Sequence, residues 1–394
     1  MSFGLDPFSN EKDPVYVSGL QKSFTYWGYY ANTFARRVVR TIECLTRPTP
    51  LEKRTWGDVV ERVKTVASAC LSSVLAVALS IPALACYAIA ACVGGGRLEF
   101  IRPQEAADFW GERSVKVMSW NVCFQDPWAP FTGGVVPPFE PVAEGVSRIA
   151  AIVNAIAQEN PAIFMGQEFE NLGAQDEFIH LMQGKGFSYF VRDLGSHAPV
   201  RNNSGLLIAS RVPLEGVQFA PYLLDDREGL AKWSEQGALA VNISVEGHDI
   251  RLVNLHLNYG SGGQNQAARN RQLVRYALPM IRGENGALFG DLNFNTAAVD
   301  RKSAGLEGLV NALEGRVTCT DEGKHTLRGK SRSPNGQPCE DCEERIDGLI
   351  YDPSRIKVLQ CATTAMRLNG QLLSDHYATI AELELKQAFG ISTE

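Results

Sequence analysis

Carboxylates, carboxamides and imidazoles close a series of short apolar runs in this sequence, at places where apolar residues would otherwise continue. Asn121 ends VKVMSWN and Glu168 ends AIFMGQE. In IRLVNLHLN the two-residue period of a strand puts Asn254 and His256 on one face, and in ALFGDLNFN it puts Asp291 and Asn293 on one face. Asp347 lies within RIDGLIY, and Asp375 and His376 stand side by side just before YATIAELEL. Singly, such residues are most often turn or cap residues, and a lone histidine is most often structural. As an ordered set they suit a particular chemistry. Mg²⁺ takes one or two carboxylates together with substrate phosphate and water, and Glu168 with Asn121 supplies that. Cleaving a phosphodiester further requires an activated water and donors for the charge developing on phosphorus, roles open to Asp291, Asn293, His256 and His376.

The elements that must position these groups are legible from Ser114 onward, where apolar runs bounded by Gly, Pro and Asn read as strands. The clearest are VKVMSWNV, AIFMGQE, SGLLIAS, ALAVNISV, IRLVNLHLN, ALFGDLNFN, RIDGLIY and YATIAELEL. Apolar residues recur at helical spacing over 142–158 and more weakly over 266–280. The pattern predicts a β-rich α/β domain, a layered sandwich.

The order and wording of these motifs resemble the endonuclease/exonuclease/phosphatase superfamily, which includes the DNase I-like enzymes. The run comprises SWN at Ser119 to Asn121, QE at Gln167 and Glu168, His256, GDLN at Gly290 to Asn293, RID at Arg345 to Asp347 and SDH at Ser374 to His376. The resemblance covers roughly 115–385 and implies a four-layered sandwich of two mixed β-sheets flanked by helices, with the site at one end. It implies Glu168 as principal Mg²⁺ ligand (Mn²⁺ being the alternative metal), Asn121 beside it, and Asp375 completing or approaching the metal set. His376 with Asp347 would then activate water, Asp291 and Asn293 would orient the nucleophile or phosphate, and His256 would contact phosphate or protonate the leaving oxygen. The stretches NNSGLLIASRVPL and LSDHYATIAEL are similar to neutral sphingomyelinases, which implies hydrolysis of sphingomyelin or a related phospholipid to ceramide and phosphocholine at a membrane. A DNase I-like endonuclease or exonuclease and a phosphoinositide phosphatase are the alternatives. Inositol polyphosphate 5-phosphatases carry Trp-Cys-Asp-Arg where this chain has ERIDGLI, which argues against the last.

Charge and hydropathy divide the 394 residues further. Residues 1–64 hold ten Lys/Arg against seven Asp/Glu, whereas the remainder holds 28 against 37, an acidic balance that makes nucleic acid the less expected partner. The stretch 65–96 has no charged residue and is long enough to span a bilayer. A phospholipid membrane is thus the expected partner, reached by a single span or by a re-entrant hairpin turning at Pro82; no protein partner can be inferred. The expected organisation is a basic, aromatic region over 1–64, a membrane segment over 65–96 and a catalytic domain over 112–388. FTYWGYYANTFARRVVRTIEC, from Phe24 to Cys44, suits either an interfacial helix or a helix packed on the domain. The loop DPWAPFTGGVVPPFEP places Trp128, Phe131 and Phe139 among prolines and glycines, to enter a bilayer surface or to cap the domain's own core. The nine cysteines form no disulfide framework, although Cys339 and Cys342 with Cys319 and His325 leave a zinc site or a local disulfide open beside free thiols.

Overall fold

A computed structural model describes residues 18–46, 56–93, 96–103, 112–124, 138–196, 201–294 apart from 261, the pairs 327–328 and 343–344, and 346–386 apart from 353. In chain order the elements are α1 (Gly19–Thr46), α2 (Trp56–Val93), β1 (Leu98–Ile101), β2 (Ser114–Asn121), β3 (Pro141–Ala143), β4 (Val146–Ser147), α3 (Arg148–Glu159) and β5 (Ile163–Gln167). They continue with α4 (Leu172–Gln183), β6 (Tyr189–Asp193), β7 (Leu207–Ser210), β8 (Glu215–Pro221), β9 (Gly237–Val245), β10 (His248–His256), α5 (Gly263–Gln272) and β11 (Gly286–Asp291). The rest are β12 (Leu327–Arg328), β13 (Glu343–Glu344), β14 (Asp347–Tyr351), β15 (Ile356–Thr364), β16 (Arg367–Leu368), β17 (Gln371–Leu372) and β18 (Ala378–Leu385).

Two mixed sheets carry the fold. The seven-stranded sheet runs β1-β6-β7-β5-β2-β18-β15 and the five-stranded sheet β14-β11-β10-β9-β8. Each contains one parallel pair, β2 with β5 and β10 with β11. Alternation along every strand divides the apolar residues between two faces. Val115 and Val117 of β2, Ile163 and Met165 of β5, and Leu252 and Phe289 of the second sheet form the inter-sheet core. Met118, Trp120 and Phe164 point the other way, against Ile152, Ile156 and Phe178 of α3 and α4. The outer face of the second sheet, with Val253, Leu255 and Leu288, is covered by Leu273, Tyr276 and Ala277 after α5. The result is the expected four-layered sandwich.

All eight strands expected from the sequence are present, and the helix expected over 142–158 begins later, at Arg148, after the small β3–β4 ribbon. There Ser147 caps it by accepting from the Ala150 N–H. β1 lies ahead of residue 112 and pairs antiparallel with β6. α2 is one continuous helix with Pro82 in its interior, so the chain does not turn back at that proline. Among the described residues it is the one helix long and apolar enough, over Ser73–Val93, to cross a membrane. α1 packs on the domain, where Tyr26 and Tyr29 donate to the carbonyls of Leu172 and Glu170 at 3.4 and 2.9 Å. Phe139 is exposed, while Trp128, Phe131 and the Cys319–Cys342 group lie outside the described residues. Cys70, Cys86, Cys92 and Cys123 are free thiols.

The parallel pairing of β10 with β11 depends on Gly290, which has φ 143°. A Cβ there would lie 1.9 Å from the Leu255 carbonyl oxygen. Gly290→Ala should therefore destabilise the fold by about 3 kcal/mol or more. Urea denaturation measures this, and a loss below about 1 kcal/mol would contradict the close approach of the two strands.

Candidate active site

The inward-facing positions that form the apolar core continue, at one end of the sandwich, as polar residues. One layer above the core, Gln167 donates to Asn254 Oδ1 at 2.7 Å and to Ser119 Oγ at 3.1 Å. Asn254 donates across the sheets to the carbonyls of Gly166 and Leu207 at 2.9 and 3.2 Å. Asn254 thus shares a face with His256 but ties the two sheets together one layer deeper.

The next layer gathers the residues singled out in the sequence. Asn121 Nδ2 donates to Glu168 Oε1 at 2.9 Å and Asp291 Oδ2 at 3.1 Å, while its Oδ1 accepts the Cys123 N–H. His256 Nε2 lies 3.6 Å from Asp291 Oδ2 and 3.9 Å from Glu168 Oε1. Donor atoms of Glu168, His256 and Asp291 all fall within 4.8 Å of one another, and so do those of Asp291, Asp347 and His376. Glu168 has a left-handed backbone, φ 59°, a conformation that marks local strain in a residue other than glycine. Asn293 is close in sequence: its Nδ2 donates to the Leu257 carbonyl and its N–H donates to Asp291 Oδ1.

His376 is 2.8 Å from Asp347 Oδ2 through Nδ1, so the carboxylate fixes Nδ1 as the protonated nitrogen and turns Nε2 toward Asp291, 3.7 Å away. Burial alone favours the neutral ring. The Asp347 and Asp291 carboxylates outweigh it and hold the His376 pKa well above its ordinary value. Asp375, in the same turn, accepts from Ser374 Oγ at 3.3 Å. Burial raises its carboxyl pKa, opposed by the charge of His376 and reinforced by Glu168.

Three further groups hold this layer in place. Arg148, fully buried, donates to the carbonyls of Val122, Cys123 and Leu373, and so fastens the segment after Asn121 to the segment before Asp375. Ser374 Oγ donates to the Asn121 carbonyl at 2.6 Å, and the Trp120 indole donates to the His376 carbonyl at 2.9 Å. A signal for Arg148 exists: it occupies the apolar stripe of its helix, in line with Ile152 and Ile156.

Because the folded pKa of His376 exceeds its unfolded value of about 6.5, its ionisation stabilises the metal-free fold fully below about pH 6.5. That contribution declines as the pH rises toward the folded pKa and is absent above it. Chelated protein should lose stability progressively above that pH, and Asp347→Asn should flatten the dependence. Urea midpoints across the range test this; parallel profiles for the two proteins would refute the coupling.

Residues 118–364 match the family model described as the Endonuclease/Exonuclease/phosphatase family. No curated protein sequence is a match. A doubly substituted beta toxin from Staphylococcus aureus with bound magnesium ions is 16% identical and aligns over 68% of this chain and 99% of that chain, with a TM-score of 0.50. Sphingomyelinase C from Streptomyces griseocarneus is 20% identical over 68% and 99% of the two chains, at a TM-score of 0.49. TDP2 from D. rerio, in complex with a single-strand DNA product, is 16% identical over 69% and 100%, at 0.48. At these identities the likeness concerns the fold. The sequence match spans more than half of the chain and takes in the strands that end in Glu168, His256 and Asp291, so the chain belongs to the endonuclease/exonuclease/phosphatase family.

Proposed function

We propose that this protein is a metal-dependent phosphodiesterase that hydrolyses sphingomyelin or a related phospholipid at a membrane. The observation that carries the phosphodiesterase reading is the convergence of Glu168, His256, Asp291, and the Asp347–His376 pair in one buried layer at the end of the sandwich. A hard divalent cation fits that layer: its donors are chiefly carboxylate oxygens, and mutual repulsion between Glu168 and Asp291 is relieved by a bound positive charge. Glu168 is the residue that would hold Mg²⁺ or Mn²⁺, with Asn121 bridging it to Asp291 and Asp375 behind it. When bound, the ion neutralises phosphate charge and polarises the ester.

The remaining steps belong to the chain. His376 Nε2, 3.7 Å from Asp291, is the atom that would accept a proton from the attacking water when the ring is neutral. Asp347 fixes the ring through Nδ1 and stabilises the imidazolium that forms. Asp291 and Asn293 orient the attacking water and the phosphate, and His256 donates to the leaving oxygen. The lipid reading draws its support from the NNSGLLIAS and LSDHYATIAEL stretches, from the uncharged face of α2, and from Phe139 and Tyr30, exposed beside Gly173 at the site end.

With sphingomyelin in mixed micelles and added Mg²⁺, Glu168→Ala should lower phosphocholine release by at least about 10²-fold, and EDTA should abolish it until Mg²⁺ or Mn²⁺ is restored. Single-stranded DNA, duplex DNA and a phosphoinositide assayed in parallel separate the substrate classes. DNA cleavage without lipid turnover would overturn the lipid assignment, and activity unaffected by Glu168→Ala would overturn the site.

A further inference from the structure

α2 has two faces of opposite fate. Ala83, Tyr87 and Ala90 recur at helical spacing and are buried, at 1%, 5% and 0% exposure. On the reverse side Val74, Val77, Ile81 and Leu84 are open to solvent, Val77 at 74% and Ile81 at 78%. No charged residue interrupts the chain between Lys64 and Arg97. The buried face is covered by α1, which runs antiparallel: Ser18 Oγ donates to the Val93 carbonyl, Gln21 Nε2 to the Gly96 carbonyl, and Tyr87 packs against Gly28.

α1 in turn is bound to the catalytic domain through polar groups. Lys22 pairs with Glu99 at 2.9 Å, Tyr29 donates to the Glu170 carbonyl, and Gln21, Thr25 and Asn32 are buried along its length. Were Ser73–Val93 to cross a bilayer in this arrangement, the buried Asn32 and the Glu170 and Leu172 backbone of the domain, bonded to Tyr29 and Tyr26, would lie at hydrocarbon depth level with Ala83 and Tyr87. Polar side chains and non-helical backbone are strongly disfavoured there. A helix lying along the surface meets no such obstacle. Its apolar side enters the boundary between headgroups and acyl chains, and the polar partner stays in water.

We infer that α2 binds a phospholipid bilayer from one side, lying in its plane with the Val74–Val77–Ile81–Leu84 face immersed, and does not cross it. The inference rests on the membrane reading above and adds to it a topology, a contact face and a role for α1. The 21 residues of Ser73–Val93 extend for about 31 Å along the surface. The helix ends at Val93, and the chain enters the domain through β1, whose first residue pairs with Asp193 at the site end of β6. α1 and the catalytic layer thus both stay on the side from which the protein binds.

The test uses the full chain, tagged at both ends and synthesised without cells in the presence of sealed phosphatidylcholine vesicles. Protease added outside should remove both tags from vesicle-bound protein. Protection of either tag overturns the inference while leaving membrane attachment intact. Val77→Glu combined with Ile81→Glu, both at exposed positions, should keep the wild-type circular dichroism and melting temperature but lower the vesicle-bound fraction at least tenfold. Equal binding by that variant overturns the contact face. Wild-type protein that ignores vesicles and elutes as a dimer would assign the face to a second copy of the chain and overturn the bilayer as its occupant. Retained phosphodiesterase activity on dispersed substrate would, in that event, leave the catalytic reading standing.

Discussion

Four carboxylates, Glu168, Asp291, Asp347 and Asp375, converge at one end of a sandwich whose interior is otherwise apolar, and their mutual repulsion is the constraint around which the site is built. Like charges at short range raise one another's pKa unless something intervenes. Asn121 intervenes between Glu168 and Asp291 with a single amide nitrogen that bonds both. His376 intervenes between Asp347 and Asp291, its charge sustained by both. Arg148 supplies a further positive charge from below. Among the described residues no carboxylate lies within ion-pairing distance of its guanidinium, and burial lowers its pKa to about 10. Three of its N–H groups, from Nη1 and Nη2, are spent on carbonyls of the segments that carry Asn121 and Asp375. A layer so balanced is electrostatically receptive to a cation.

Alternation explains why so much of this was legible. Strand period fixes which residues point inward, and the same inward rows that give Val117, Met165, Leu252 and Phe289 to the core end in Asn121, Gln167, His256 and Asp291. The period fixes face but not depth. Asn254 and His256 share a face in the sequence, yet one closes a hydrogen-bonded tie between the sheets and the other reaches the carboxylates. Likewise Asn293 shares the spacing of Asp291, but it follows the end of β11, where a left-handed residue turns the chain and sends its amide to Leu257.

The elements the sequence did not announce have physical reasons for their silence. β1, β8 and β15 are edge strands, covered on one side only, and their apolar residues are diluted accordingly. α4 begins Leu-Gly-Ala-Gln, with no strong apolar repeat, and is set by its Asn171 cap and by burial of Phe178 and Met182 against the sheet. Arg148 shows in the sequence only as a charge on the apolar stripe of α3, because its value is tertiary: the carbonyls it serves are 25, 26 and 225 residues away.

Glu168 itself shows how a strand-end carboxylate becomes a fixed ligand position. A left-handed residue other than glycine persists only where its surroundings over-determine it. Here the next residue, Phe169, donates its N–H to the Gly205 carbonyl at 2.9 Å. Beyond it, the Glu170 carbonyl accepts from Asn203 at 3.2 Å and from Tyr29 of α1 at 2.9 Å, while Asn202 holds the Glu170 carboxylate at 2.5 Å. The turn is therefore gripped by the β6–β7 connection on one side and by the N-terminal helix on the other. The helix that covers the buried face of α2 is thus one of two elements that keep Glu168 in its strained conformation, and α1 is structurally part of the site's support.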